Sequence, residues 1–314
     1  MIEITSSQAP PLHSGPEVTT MASLIPDPIH TEVRSHAIHL KHLLVATDFS
    51  AAAAVGLSYA KLLARLFHSE ITLVHAITSA DTDGADDKDE RAEWNAASEQ
   101  LNAERFKVEA RGIRCSSVCR VGDPSDILVQ TAAEKDSDLL ILGSIGHHSL
   151  APSQLGSTAA FIMRAAPCPT LMIGVEATRK NVHLSSFRRL IFASSLRDHM
   201  GQALSFAETV ARVCNASVDV VHIRQKSDQI LPSEVLEHRQ KAIVAHLNRA
   251  GIPASSYLLA PPAGKSIAEI AEQRGAGLII FGLEHKALDP SARSTISEVI
   301  QLSPCPVLTV PGVA

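Results

Sequence analysis

The residues of this chain best suited to chemistry are glycines and hydroxyl side chains gathered in one loop. Gly143, Gly146 and Gly156 have the spacing G-x2-G-x9-G, and Ser157 and Thr158 follow directly. Glycines let a backbone turn sharply and approach a ligand closely. Free N–H groups at a helix start stabilise a phosphate, and nearby hydroxyls add to this. The pattern indicates a nucleotide site; the alternative is an ordinary glycine loop with a Ser N-cap.

The elements around this loop predict its position in a sheet. The apolar run 138–142 before the loop predicts a buried strand, and 158–164 after it predicts a helix. Asp48 ends another buried strand, and ligands of parallel sheets lie beyond strand carboxyl ends where the strand order reverses. If the two strands are neighbours, Asp48 and the glycine loop face one site. The alternative for Asp48 is a carboxylate favoured by the dipole of the following helix.

The whole pattern occurs twice along the chain. Residues 41–50 correspond to 188–197, and residues 139–143 correspond to 278–282. In each copy, buried apolar strands alternate with helices, which is typical of a parallel sheet covered on both faces. The sequence therefore predicts an α/β fold of two tandem Rossmann-like domains, each a five-stranded parallel sheet with helices on both faces.

The repeat divides the 314 residues into four parts. We expect a disordered N-terminal arm (1–38), a first domain (39–175), a linker (176–186) and a second domain (187–314). The strands expected in the first domain are 41–47, 70–76, 114–121, 138–143 and 169–174. Helices are expected over 51–67 and 91–111, and the second of these should place Trp94, Ala97, Leu101 and Val108 on one face.

Composition and charge exclude several classes of protein. A net charge of −5 gives no electrostatic footprint for nucleic acid, and no apolar run reaches the ~20 residues that span a membrane. The N-terminus does not have the pattern of a secretory signal. Five cysteines without a CxxC pair favour a reduced cytoplasm.

At this point the residues resemble the universal stress protein family in its tandem two-domain form. The nucleotide-binding branch of that family carries G-x2-G-x9-G-[ST] after its fourth strand, which Gly143, Gly146, Gly156 and Ser157 satisfy. Other landmarks occur in the expected order, at residues 45–50, 73–76, 121–124 and 166–169. The resemblance covers residues 39–175 strongly and 186–313 weakly.

The resemblance implies an adenine nucleotide in the first domain. Asp48, next to Thr47, would hydrogen-bond the adenine or lie beside it, and Ala76, just after the second strand, would offer backbone atoms to the base. The ribose and phosphates would be held by Gly143, Ser144, Gly146, Gly156, Ser157 and Thr158. His147 stands where the family often has a basic residue, so ATP, ADP and AMP are all candidates. Mg²⁺ usually accompanies a bound triphosphate.

The second copy has lost the motif. Gly282 alone is kept, while the positions of Asp48, Gly146, Gly156 and Ser157 are taken by Ser195, His285, Thr295 and Ile296. A β-branched residue and an apolar residue replace a free backbone and a hydroxyl, which argues against a phosphate there. We therefore predict one nucleotide site per chain.

Three functions are consistent with these residues. The first is a cytoplasmic nucleotide-binding regulator of the stress response that acts on an unidentified protein partner. The others are a nucleotide-free interaction module and an enzyme of the ATPase or nucleotidyl transferase class. No nucleophile–base pair, no paired carboxylates near the loop and no Walker-type lysine are evident, so we expect at most slow ATP hydrolysis.

Several further residues are predicted to be structural. His75 and His222 occupy equivalent strand ends and should share a structural role. Cys115, Cys119, Cys168 and Cys305 should be packing residues. The universal stress proteins that this chain resembles commonly pair two such units through their last strands. The resemblance therefore implies that 170–173 and 307–310 pair with each other inside the chain, and that two chains could form a homodimer.

Overall fold

A computed structural model describes residues 38–78, 87–146, 155–196, 201–224, 233–283 and 290–312. The predicted arm, apart from Ile38, lies outside these residues. Over the described ranges the chain forms ten strands and eight α-helices that alternate within each half. The α/β fold class predicted from the repeat is confirmed. The predicted domain boundaries stay a prediction.

The elements of the first half are β1 (His42–Ala46), α1 (Ala51–Phe67), β2 (Glu70–Ile77), α2 (Asp87–Glu109), β3 (Cys115–Val121), α3 (Pro124–Glu134), β4 (Leu139–Gly143), α4 (Ser157–Ala165) and β5 (Thr170–Ile173). The second half contains β6 (Arg189–Ala193), α5 (Gly201–Cys214), β7 (Ser217–Ile223), α6 (Ser233–Arg249), β8 (Ala254–Leu259), α7 (Ala263–Arg274), β9 (Leu278–Leu283), α8 (Pro290–Leu302) and β10 (Val307–Pro311). All five strands predicted for the first half occur within one residue of their expected ends.

Local sequence explains where the helices begin and how they pack. Ser50 caps α1, because its side chain accepts a hydrogen bond from the Ala53 N–H. Helix α2 buries Ala97, Leu101 and Val108 as predicted, but Trp94 is 44% exposed. Trp94 is exposed because α2 packs over β2 and the outermost strand β3, at the margin of the sheet.

The two halves join into one ten-stranded sheet with the order β3-β2-β1-β4-β5-β10-β9-β6-β7-β8. Strands within each half are parallel, whereas β5 and β10 are antiparallel, with Leu171 opposite Leu308. The predicted pairing of the last strands is thus confirmed. Helices α1, α2, α5 and α6 cover one face of the sheet, and α3, α4, α7 and α8 cover the other.

Each half has a crevice where its strand order reverses, between β1 and β4 in the first half and between β6 and β9 in the second. The antiparallel junction of β5 and β10 separates these two crevices. The carboxyl ends of β1 and β4 lie at one edge of the sheet, because both strands run parallel to β5. The carboxyl ends of β6 and β9 lie at the opposite edge, because those strands run parallel to β10. A ligand in the first-half crevice therefore cannot touch the equivalent crevice of the second half.

The predicted linker is part of the packed structure. It forms two short 3₁₀ helices, Glu176–Arg179 and Leu184–Arg188, and Ala177 within it is fully buried. Just beyond the linker, Phe187 is also buried and contacts the Tyr59 ring of α1 edge-on, with ring centroids 5.7 Å apart. The hydrophobic core is continuous between the two halves.

Candidate functional site

The candidate site lies where the strand order of the first half reverses. Strand β1 pairs with β2 on one side and with β4 on the other, where Leu43 is opposite Leu139. Asp48 and the glycine loop were expected to face one site only if the strands that precede them are neighbours. The structure shows that these strands, β1 and β4, are neighbours. The crevice between their carboxyl ends is the ordinary ligand position of a doubly wound sheet.

Asp48 and Gly146 lie against each other across this crevice. One carboxylate oxygen of Asp48, Oδ1, accepts a hydrogen bond from the Ser50 N–H at 3.0 Å. The other oxygen, Oδ2, would lie 3.3 Å from a Cβ atom built on Gly146. A side chain at position 146 would therefore press on the carboxylate, so glycine allows the two loops to approach this closely.

Gly156 and Ser144 bring the two ends of the glycine loop together. The Gly156 N–H donates to the Ser144 carbonyl at 2.9 Å, and the Ser144 N–H donates to the Ile173 carbonyl at 2.9 Å. A Cβ atom on Gly156 would lie 3.2 Å from the Ser144 oxygen and 3.9 Å from the Gly146 nitrogen. Gly156 has φ −59°, which any residue can adopt, so glycine is required there by close approach and not by backbone strain.

The start of α4 presents backbone donors to the crevice. Gly156 is its N-cap and provides no side-chain hydrogen bond, which leaves the first N–H groups of the helix without a side-chain cap. The alternative of a Ser157 cap is therefore wrong: Ser157 is the first helical residue. Its side chain is exposed, and that of Thr158 is half-buried. His147 lies outside the described residues.

A tight turn between β1 and α1 builds the other wall of the crevice. Thr47 Oγ1 accepts a hydrogen bond from the Phe49 N–H at 3.0 Å, and Phe49 adopts a left-handed φ of 59°. The Thr47 carbonyl lies 2.7 Å from Nδ1 of His75, whose ring centroid lies 4.6 Å from that of Phe49. Sequence reasoning missed Phe49, because a bulky residue with positive φ has no signal in a single sequence.

The same turn occurs in the second half. Ser194 Oγ accepts a hydrogen bond from the Leu196 N–H at 2.9 Å, Leu196 has φ 55°, and Nδ1 of His222 lies 2.8 Å from the Ser194 carbonyl. The predicted structural role shared by His75 and His222 is confirmed by these equivalent hydrogen bonds.

Ala76 lies inside β2 and not just after it, because β2 continues its pairing with β3 as far as Ile77. The Val74 carbonyl accepts a hydrogen bond from the Thr47 N–H, so it faces β1. Backbone groups two residues apart in a strand face the same side. The N–H and C=O of Ala76 therefore point beyond the end of β1, toward the crevice.

Gly143 is explained by packing. A Cβ atom on Gly143 would lie 2.9 Å from the Ala52 Cβ, and one on Gly282 would lie 3.1 Å from the Ala203 Cβ. The same helix-to-strand contact thus occurs in both halves. This contact accounts for the one glycine that the second half has kept.

The second half has a helix where the first half has a glycine loop. Helix α8 begins at Pro290, so Thr295 and Ile296 lie within it, and Ile296 is buried. The equivalent residues of the first half, Gly156 and Ser157, stand at the very start of α4. His285 lies outside the described residues.

Among the residues that the structure describes, no cluster of three or more His, Cys, Asp or Glu side chains could hold a metal ion. No helix in the same residues is long and apolar enough to cross a membrane.

The sequence profile of the universal stress protein family matches residues 39–174 and 186–311. Two universal stress proteins of Methanocaldococcus jannaschii, MJ0531 and MJ0577, are 26% and 24% identical over 141 and 156 residues. These alignments cover 42% and 44% of this chain, and 81% and 96% of the two relatives.

Solved structures show the same fold. A universal stress protein from Archaeoglobus fulgidus is 20% identical and has a TM-score of 0.71, covering 88% of this chain and 98% of its own. A functionally unknown protein from Pseudomonas aeruginosa PAO1 is also 20% identical, with a TM-score of 0.59 and coverages of 87% and 93%.

Proposed function

Since this chain belongs to the universal stress protein family and carries two copies of its domain, we propose that its first half binds one adenine nucleotide as a regulatory ligand. The observation that carries the proposal is the meeting of Asp48, Gly146 and Gly156 at the point where strand order reverses. Two of the three motif glycines, Gly146 and Gly156, leave out side chains that would press on Asp48 and on the Ser144 carbonyl, and glycine also lets a backbone approach a phosphate closely.

The residues fit the two ends of a nucleotide. At the phosphate end, the N–H groups that begin α4 and the hydroxyls of Ser157 and Thr158 would hold the anionic oxygens. At the base end, the Asp48 carboxylate would accept a hydrogen bond from adenine, and the Ala76 backbone would border the base. The phosphates of bound ATP would themselves supply the oxygen ligands of Mg²⁺.

The proposed role is regulatory and cytoplasmic, with ATP as the first candidate ligand and ADP and AMP as the others. The residues at the crevice favour binding over turnover, because the motif has no Walker-type lysine to stabilise the charge that develops on the phosphates. Slow hydrolysis is compatible with this arrangement. Nucleotide binding would then change the affinity for a protein partner.

One observation favours a second candidate, a nucleotide-free interaction module. The contact of Gly143 with Ala52 recurs at Gly282 and Ala203, so part of the motif has a packing reason that needs no ligand. The other two glycines have no such counterpart in the second half.

The nucleotide content and affinity of the purified chain test the proposal. The protein is denatured, the supernatant is chromatographed, and Mg-ATP binding is measured by calorimetry. We expect about one adenine nucleotide per chain, and loss of binding in Gly156→Val, whose side chain would press on Ser144. The matched control is Thr295→Val, at the equivalent position of the second half, which should bind as the wild type does. No bound nucleotide and no calorimetric binding would contradict the proposal and favour the interaction module.

A further inference from the structure

The second half contacts the strand that holds the glycine loop of the first half. Gly174 directly follows β5, and a methyl group built on it would overlap the backbone carbonyl of Ile300. Ile300 lies near the end of α8, in the second half, and is fully buried. The two backbones touch, and only glycine at position 174 permits this approach.

This contact lies next to the hydrogen bonds that hold the glycine loop. The residue before Gly174 is Ile173, whose carbonyl accepts the Ser144 N–H at 2.9 Å. The Ser144 carbonyl in turn accepts the Gly156 N–H at 2.9 Å. A shift of α8 would therefore move Ile173, and with it the two backbone hydrogen bonds that fix both ends of the loop.

A second contact reaches the other wall of the crevice. Helix α1 begins beside the site, where Ala52 packs on Gly143, and two turns later its Tyr59 ring packs on Phe187, next to the start of β6. Both walls of the first-half crevice are thus supported by residues at or beyond the junction of the halves. Close-packed interiors transmit displacements of this kind because they contain few voids.

We propose that the second half is a brace for the nucleotide site: it holds the glycine loop of the first half in position. The positioning residues are Ile300 on α8 and Gly174 after β5, where the two halves touch. The proposal rests on the proposed function and adds a reason for keeping a half that has lost the motif. Helix α8 has 13 residues and is about 20 Å long, so it extends from the second-half crevice to the junction.

The test compares two substitutions in the full chain. Gly174→Ala adds a methyl group that would overlap the Ile300 carbonyl, and Ile296→Ala removes a buried side chain one turn before Ile300 on α8. For each variant, Mg-ATP affinity is measured by calorimetry, unfolding by urea, and amide hydrogen exchange at Ser144 and Gly156 by NMR. We expect Gly174→Ala to weaken binding about tenfold and to speed exchange at both amides, as for a typical coupling between sites.

The control separates positioning from loss of stability. Ile296→Ala should also lower the free energy of unfolding, because its buried side chain is lost, yet keep affinity and exchange near those of the wild type. Equal effects of the two variants on affinity, or unchanged exchange in Gly174→Ala, would overturn the brace. If the wild type binds no nucleotide, the proposed function fails, while the exchange of Ser144 and Gly156 still decides whether the brace exists.

Discussion

At the scale of single residues, the three motif glycines have different structural roles. Gly143 makes room for Ala52, whereas Gly146 and Gly156 keep side chains away from Asp48 and from Ser144. The spacing of the glycines was visible in the sequence, but these reasons were not. They depend on how closely α1 approaches β4 and how the loop closes on itself, and both distances are set by tertiary packing.

We predict that Gly143→Ala destabilises the chain by about 1–3 kcal/mol, because the new methyl group would overlap the Ala52 side chain. Urea unfolding gives the change. Adding Ala52→Gly should recover part of the loss, and Gly282→Ala should cost less, since its nearest contact is longer. Additive losses in the double variant would show that the contact is not the cause.

The cysteines allow a chemical prediction. Burial raises the pKa of Cys115 and of Cys168 to about 12, and that of Cys214 to about 11. Because the thiolate is the reactive form, iodoacetamide at pH 8 should modify these residues slowly in the native chain and rapidly in urea. Mass spectrometry of the digested protein measures this, and fast modification of native Cys115 would contradict its predicted packing role.

At the scale of elements, the equivalent helices α1 and α5 carry side chains of opposite charge at one equivalent position. Glu208 of α5 is buried, and its carboxylate lies 2.7 Å from Nη2 of Arg212 and 3.2 Å from Nε2 of His246 on α6. The equivalent position in α1 is Lys61, whose pKa is lowered by burial and then by the nearby Arg111. The repeat therefore keeps the fold while the charge on this face is reversed.

We predict that Glu208→Gln lowers the free energy of unfolding at pH 7 by about 1–3 kcal/mol. Burial alone raises the pKa of Glu208, but hydrogen bonds from Arg212 and His246 outweigh it and lower that pKa. The ionised carboxylate thus stabilises the fold above its unfolded pKa, and this contribution is lost as the pH falls through the lower folded pKa. Urea unfolding should show the difference between variant and wild type narrowing below pH 4.5.

The control for this prediction is an exposed pair on α6. Glu237 lies 3.4 Å from Lys241 with both side chains largely in solvent, so Glu237→Gln should change stability little at any pH. A difference for Glu208→Gln that stays constant from pH 7 to strongly acid conditions would contradict the role of the ionised carboxylate.

Strands were easier to predict than helix ends, for a physical reason. Apolar runs such as 139–142 are buried on both faces of the sheet, so they are distinct in sequence. Helix ends depend on neighbours: α8 begins several residues earlier than its counterpart α4, although the repeat aligns the two. Likewise, the exposure of Trp94 follows from the marginal position of α2, which a helical pattern does not contain.

At the scale of the molecule, the two halves form one structure. The continuous sheet, the buried Ala177 and the contact of Tyr59 with Phe187 join the halves into a common core. The resemblance to the family, together with the repeat, allowed this pairing to be predicted. The sequence did not show that Ala177 of the linker and the neighbouring Phe187 would be buried, because these residues stand outside any periodic pattern.

We predict that the full chain unfolds in a single transition, and that Phe187→Ala lowers its stability by about 3–5 kcal/mol while keeping that transition single. The reason is that Phe187 is fully buried at the junction, so the cavity it leaves weakens both halves. Calorimetry and circular dichroism measure the transition. Two well-separated transitions in the wild type would show that the halves are independent domains.

The most direct test of the account is a hydrogen–deuterium exchange map of the full chain with and without Mg-ATP. The two crevices lie at opposite edges of the sheet, so the map can tell them apart. We predict slower exchange after β1 and in residues 143–146 and 156–160, and unchanged exchange in residues 194–196 and 293–299. Protection at the second-half crevice, or none anywhere, would contradict a single nucleotide site in the first half.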